Sequence, residues 1–142
     1  MDEAVEVREV EYAQERDSIM AIRFSVFVDE QGVPADLEID EMDPESRHVL
    51  AFNADQPVAT GRLLPDGHIG RVAVSKTWRQ KGVGCKVMQR LIEMAREADL
   101  RCVVISAQVS AKGFYERLGF LEKGDIYLEA GIDHIEMELP FS

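Results

Sequence analysis

Six consecutive residues, Arg79-Gln80-Lys81-Gly82-Val83-Gly84, combine two cations with two glycines where a strand pattern ending in Ile69, Val72 and Val74 gives way to a helical one. The chemistry this suits is the binding of an anion. The first N–H groups of a helix have no internal acceptor and lie at the positive end of its dipole, so a phosphate group there is stabilised. Glycine at 82 and 84 removes Cβ atoms that would hold a pyrophosphate away from the main chain. Arg79 and Lys81 add charge-assisted contacts. A Gly-x-Gly alone is commonplace in turns; its position between a strand and an amphipathic helix gives it weight. Neither familiar nucleotide fingerprint fits. No Gly-x-x-x-x-Gly-Lys-Ser/Thr occurs, and Val87 stands where Gly-x-Gly-x-x-Gly needs its last glycine.

The elements that must position this turn follow from hydrophobic periodicity. Val5 to Val10 alternates as a half-buried strand does. Apolar residues recur at helical spacing from Gln14 to Asp29, and Gly32 and Pro34 end that helix. His48 to Asn53 and Val58 to Leu64 read as a hairpin around Ala54-Asp55-Gln56-Pro57, and Pro65-Asp66-Gly67 turns the chain into a strand over 68–74. Val83, Val87, Leu91, Ala95 and Ala98 form one apolar stripe on the helix after the glycine turn. Cys102 to Ile105 is a continuous apolar run, as in a strand covered on both faces, so strand, helix and strand imply a parallel crossover. Ser110 stands where it can cap a short helix through Leu118, with Gly119 ending it. Phe120 to Glu122 and His134 to Leu139 supply the last strands. The expectation is one α/β (α+β) domain over 1–142, a mixed sheet with about four helices.

Composition narrows the function. The chain has 142 residues, 46% hydrophobic and 30% charged, an ordinary globular balance. A net charge of −11 argues against a general nucleic-acid binder, which needs surplus Lys and Arg. No apolar run is long enough to span a bilayer, and the acidic start of the chain lacks an export signal, so the expected location is cytoplasmic with no membrane partner. Cys85 and Cys102 lack metal-ligand spacing and read as reduced thiols, with no metal expected. The charges are segregated. Between Gly70 and Cys102 stand eight basic residues against three acidic ones, whereas Asp36 to Glu45 holds six acids and no base. That pattern suits a polyanionic ligand held at the basic island and a cation drawn to the acidic segment.

Arg79-Gln80-Lys81-Gly82-Val83-Gly84 matches the Q/R-x-x-G-x-G/A signature of the GCN5-related N-acetyltransferases (GNAT). Phe114-Tyr115-Glu116-Arg117-Leu118-Gly119-Phe120 resembles that family's second marker, 30 residues further on. Phe27-Val28-Asp29-Glu30-Gln31-Gly32-Val33-Pro34 and Gly131-Ile132-Asp133-His134-Ile135 are similar to its small bacterial YjcF/ElaA-like subgroup. The resemblance implies the GNAT fold, a mixed and mostly antiparallel sheet whose central parallel strand pair is flanked by helices. It implies acetyl-CoA as cosubstrate and direct attack by a primary amine in a ternary complex. Main-chain groups of Val72 and Val74 would hold the pantetheine arm, with the acetyl carbonyl near the Ala73–Val74 backbone. Arg79 and the amides of Gln80, Lys81, Gly82, Val83, Gly84 and Cys85 would hold the pyrophosphate. Ser110 stands where many members carry an Asn that contacts pantetheine, and it reaches less far.

By the same resemblance Tyr115 protonates the departing thiolate. A phenol of pKa about 10 giving a proton to a thiolate of about 8.5 works uphill by roughly 2 kcal/mol. Tyr115 is therefore expected to have its phenolate stabilised, with the basic island as the source. Candidate bases for the amine are Glu30, a carboxylate of the Asp36–Glu45 segment acting through water, and His134, for which a plain hydrogen-bonded strand histidine is the rival account. The acidic segment points to a small cationic acceptor. Trp78 either covers the adenine or anchors its loop. Cys85, at the helix start, is not expected as a nucleophile, and Cys102 reads as core. Dimers are common in the family, though no segment here marks an interface. A non-catalytic acyl-CoA-binding module on the same fold is the alternative function.

Overall fold

In a computed structural model that describes residues 5–35 and 41–141, seven strands form one sheet in the order β1-β2-β3-β4-β5-β7-β6. In chain order the elements are β1 (Glu6–Val10), α1 (Tyr12–Arg23), β2 (Arg47–Asn53), β3 (Gln56–Leu63), β4 (His68–Val74), α2 (Val83–Glu97), β5 (Cys102–Gln108), α3 (Lys112–Arg117), β6 (Leu121–Glu129) and β7 (Ile132–Pro140). Every neighbouring pair is antiparallel except β4 and β5, which run parallel at the centre with α2 as their crossover. The parallel crossover is the one expected from the pattern of elements, and its central place in a mostly antiparallel sheet is what the resemblance implied.

Each face of the sheet has its own apolar cover. On one side Val83, Val87, Leu91 and Ala95 of α2 are fully buried against Val49, Ala59, Leu63 and Val103. The stripe ends there, since Ala98 is exposed. On the other side Ile19, Ile22 and Val26 pack against Leu50 and Ala73. Burying a leucine-sized side chain is worth about 1.5–3 kcal/mol, so α2 is held mainly by this stripe.

Two irregularities shape the centre. The helix expected through Asp29 leaves α geometry at Phe24 and continues as a π-helical segment (Phe24–Glu30), with Gln31 N–H donating to the Val26 carbonyl at 3.2 Å. Its wider turns bring Phe27 and Gln31 to the sheet's open end. In β4 the register against β3 slips by one residue, from Thr60↔Ala73 to Arg62↔Gly70. The extra residue sits in a bulge containing Arg71, at φ +52. Opposite it, a Cβ on Gly61 would lie 2.9 Å from Leu91 Cδ1 and 3.0 Å from Val87 Cγ1, so glycine is what lets α2 seat on the sheet.

Other expectations are corrected. Ser110 does not cap α3: it is exposed within a 3₁₀ turn (Val109–Ala111), and α3 begins after Ala111 without a side-chain cap. β6 is longer than the Phe120–Glu122 reading and exposed along its whole length. Its surface side chains conceal the alternation that marks a half-buried strand. Cys102 is only partly buried, at the start of β5. Among the described residues, no helix is long and apolar enough to cross a membrane.

Candidate active site

The parallel pairing of β4 and β5 is confined to His68↔Val104 and Ile69↔Ile105. β5 is paired with β7 on its other edge along its whole length, Cys102 to Gln108, and β4 keeps β3 as its neighbour through Val74, so past Ile69 and Ile105 the two strands part. Ser75 N–H donates to the Val58 carbonyl at 2.9 Å. Antiparallel ladders alternate, so Ala73 also faces β3, and the main-chain groups of Val74 and Val72 face the gap. The Val74 carbonyl is taken by Arg79 Nε at 3.0 Å. An extended amide-bearing chain can add to this edge as a strand would.

At the end of β4 the chain turns with Gln80 at φ +62 and Gly82 at φ +79. The first helical bond of α2 runs from Lys86 N–H to the Gly82 carbonyl. The amides of Val83, Gly84 and Cys85 therefore have no acceptor within the helix. Left-handed residues in such a turn gather main-chain N–H groups into an anion-binding concavity, and the dipole of a fifteen-residue helix adds to it. The two glycines differ in role. Gly82 is needed for its backbone angle, whereas a Cβ on Gly84 would make ordinary contact, 3.7 Å from Val74 Cγ2. Trp78 packs on the core and carries Lys81 Nζ 5.7 Å from its ring centre, so it anchors the loop. Cys85 is partly exposed and does not line the cavity described next.

A cavity of about 480 Å³ opens where β4 and β5 part, walled also by the π-helical segment, α3 and the β6–β7 hairpin. Tyr115 and His134, placed far apart in the sequence, both line it. The Tyr115 ring packs edge-on against Phe114 and Phe120, at centroid distances of 5.1 and 6.0 Å. Burial pushes its phenol up from the ordinary tyrosine value, and no cation among the described residues offsets this. The expected help from the basic island is thus absent, and Tyr115 stays protonated.

His134 is 6% exposed. Its Nδ1 lies 2.8 Å from the Ile132 carbonyl, which can only accept, so the proton of the neutral ring belongs on Nδ1 and the Nε2 lone pair is left available. Nε2 lies 3.6 Å from Glu129 Oε2, and Tyr127 stacks on the ring at 6.1 Å. Tyr127 Oη hydrogen-bonds Ser106 Oγ, which donates to Glu129 at 3.4 Å. Gln108 donates to Gln31 at 3.2 Å across the mouth. Sequence reading missed Ser106, Gln108, Tyr127 and Glu129. They carry no motif of their own, and only their register beside His134 on β7 could have indicated them.

Glu30 stands apart from this group. It forms a bidentate ion pair with Arg79, at 2.7 and 2.8 Å, and does not line the cavity. The hydrogen bond from Arg79 holds its carboxyl below the usual range, against a smaller effect of burial. A carboxylate so committed is a poor proton acceptor, and its contact is with Arg79 rather than with the cavity. The acidic segment is also revised. Asp43 is buried, 2.9 Å from Arg23 and 2.7 Å from Arg62, and cannot meet a ligand. Asp36, Glu38 and Asp40 lie outside the described residues, and Glu41 and Glu45 are exposed.

A strand edge left open beside a helix N-terminus, with a half-buried phenol and a buried imidazole lining the gap, suits an extended, amide-bearing ligand that ends in an anion. The chain belongs to the GNAT acetyltransferases: the family model described as "Acetyltransferase (GNAT) domain" matches residues 8–141. It is 37% identical over 120 residues to the uncharacterized N-acetyltransferase YjcF of Bacillus subtilis, covering 82% of this chain and 86% of that one. To Protein ElaA of Escherichia coli it is 33% identical over 128 residues, covering 84% of each. Among solved structures, an acyl-CoA N-acyltransferase from Pseudomonas aeruginosa superposes with a TM-score of 0.87 at 32% identity, covering 96% of this chain and 99% of that one. Escherichia coli ElaA superposes at 0.86, with 29% identity and the same coverage. An acyl-CoA cosubstrate follows from family and fold together.

Proposed function

We propose that this acetyltransferase moves the acetyl group of acetyl-CoA to a primary amine that attacks directly. The observation that carries the reading is the parting of β4 from β5 after Ile69 and Ile105, with the open amides of α2 at one end and the Tyr115–His134 cavity at the other. When bound, acetyl-CoA supplies the thioester to be cleaved. Val72 and Val74 orient its arm through main-chain hydrogen bonds, and Gln80 to Cys85 with Lys81 and Arg79 meet its pyrophosphate. His134 Nε2 takes the proton that the amine gives up as the N–C bond forms. Tyr115 gives its proton to the sulfur as the C–S bond breaks, and its raised pKa keeps that proton in place until then. Cys85 lies outside the cavity, which favours direct attack over an acyl-cysteine relay.

Calorimetry with acetyl-CoA and turnover on a panel of amines test the reading together. We expect micromolar or tighter binding and Tyr115→Phe to lower kcat more than tenfold at unchanged acetyl-CoA affinity. Unchanged turnover removes Tyr115 from the chemistry. Binding without turnover on any amine indicates the non-catalytic module, and no heat with acetyl-CoA discards the reading.

A further inference from the structure

The cavity beside Tyr115 has an uneven charge pattern. Among the described residues that line it, Arg71 is the one side chain with a permanent positive charge and Glu129 the one carboxylate. Phe27, Val33 and Ile132 give it apolar walls. Arg71 owes its place to the β4 bulge and keeps φ +52, a conformation glycine adopts at no cost and arginine does not. A large charged side chain retained at such a position, at the mouth of the gap that opens beside it, needs an account. Glu129 and the Nε2 of His134 mark the amine end of the cavity.

From this we infer that the acceptor is a free α-amino acid with an apolar side chain: Arg71 grips its carboxylate, and its amine lies toward Glu129 and His134. The inference rests on the acetyl-transfer reading above and deepens it. A guanidinium presents several N–H donors in a planar fork that matches a carboxylate, so it takes one up alongside the interactions it already makes. A cationic amine would instead bring a second positive charge toward Arg71. The reaction is balanced without further reagents. The amino group, having given its ammonium proton to water, forms an N–C bond to the acetyl carbon and passes a second proton to His134; the C–S bond breaks, the sulfur takes the proton of Tyr115, and exchange through water moves the His134 proton back to Tyr115. The products are an N-acetyl amino acid and coenzyme A.

The test compares phenylalanine with phenylalaninamide and phenethylamine, and leucine with leucinamide, with spermidine as the cationic arm. Turnover is followed by thiol release, and binding by calorimetry on the protein saturated with coenzyme A. The expected result is a kcat/KM, or an affinity, at least tenfold higher for the amino acid than for its amide. In Arg71→Asn, whose side chain tolerates the left-handed backbone, that ratio falls to near one, and Arg71→Lys restores part of it. Amino acid and amide are measured on one sample, so partial unfolding of a variant cancels from the ratio. Preference for phenethylamine, an amide or spermidine overturns the inference, as does a ratio that Arg71→Asn leaves intact or failure of the amino acids both to bind and to react. Those results leave acetyl transfer standing when acetyl-CoA still binds and another amine is acetylated; absence of acetyl-CoA binding fails the underlying reading instead.

Discussion

Glu30 and Arg79, 49 positions apart, meet through two parallel hydrogen bonds, while Arg79 Nε also holds the Val74 carbonyl. One carboxylate thus ties the end of the π-helical segment to the last residue of the open strand and to the start of the phosphate turn. If that is its work, Glu30→Gln weakens acetyl-CoA binding a few-fold by loosening Arg79 and leaves kcat within about threefold. A general base at this position would instead cost 10²–10⁴-fold in kcat. Steady-state kinetics with acetyl-CoA varied at saturating acceptor decide between them. Individual residues were legible where a local pattern carried them. Gly82 was evident from the strand–glycine–helix order, and Tyr115 from the marker around it. The partner of Glu30 was not, because that ion pair exists only once distant segments have folded together. Arg71 counted simply as one member of a basic island, since nothing local announces a bulge.

Among the elements, α2 and the strand pair it joins were the plainest, because a stripe repeating every four residues and a short apolar run each have one reading. The π-helical segment and the β4 bulge were hidden, for both are one-residue departures that leave the hydrophobic pattern nearly unchanged. Yet they create the site: one moves Phe27 and Gln31 to the cavity, the other brings in Arg71. Gly61 shows how tightly bulge and helix are fitted. In Gly61→Ala the new methyl meets Leu91, Val87 and, at 3.3 Å, Val72 Cγ2, and in a packed core such excess volume costs about 1–3 kcal/mol. We expect urea denaturation to show that loss. We also expect a higher KM for acetyl-CoA, because Val72 presents its main chain to the gap. A variant as stable as the native chain would mean that α2 stands further from β3 than the contacts here require.

Across the whole molecule the strongest electrostatic feature lies outside the cavity, where Asp43 sits between Arg23 and Arg62 with all three nearly inaccessible to water. Burial alone would raise the Asp43 carboxyl, and the two guanidinium groups overcome it and hold the carboxyl below its ordinary value of 3.8. Beneath them His48 donates Nε2–H to the Asp43 carbonyl at 2.8 Å and stacks on Tyr12. Burial lowers its pKa from 6.5, with Arg23 and Arg62 acting in the same direction and Asp43 against. Both shifts have the same sign for folding. As pH falls below about 6.5 the unfolded chain takes up the His48 proton before the native one does, so stability declines. The Asp43 contribution is intact above its unfolded value near 3.8 and is lost as pH drops through the lower native one. Urea midpoints at pH 7.5, 5 and about 2.5 should therefore fall in two stages. Asp43→Asn removes one partner from a buried cluster and leaves two arginines facing each other, a loss of about 3–5 kcal/mol at neutral pH. It should shrink the acid stage, leaving the smaller share of exposed pairs such as Glu30 with Arg79 and Glu9 with Arg47, while sparing the one near pH 6.5. A variant that keeps both stages would place the acid sensitivity elsewhere among the chain's many surface carboxylates.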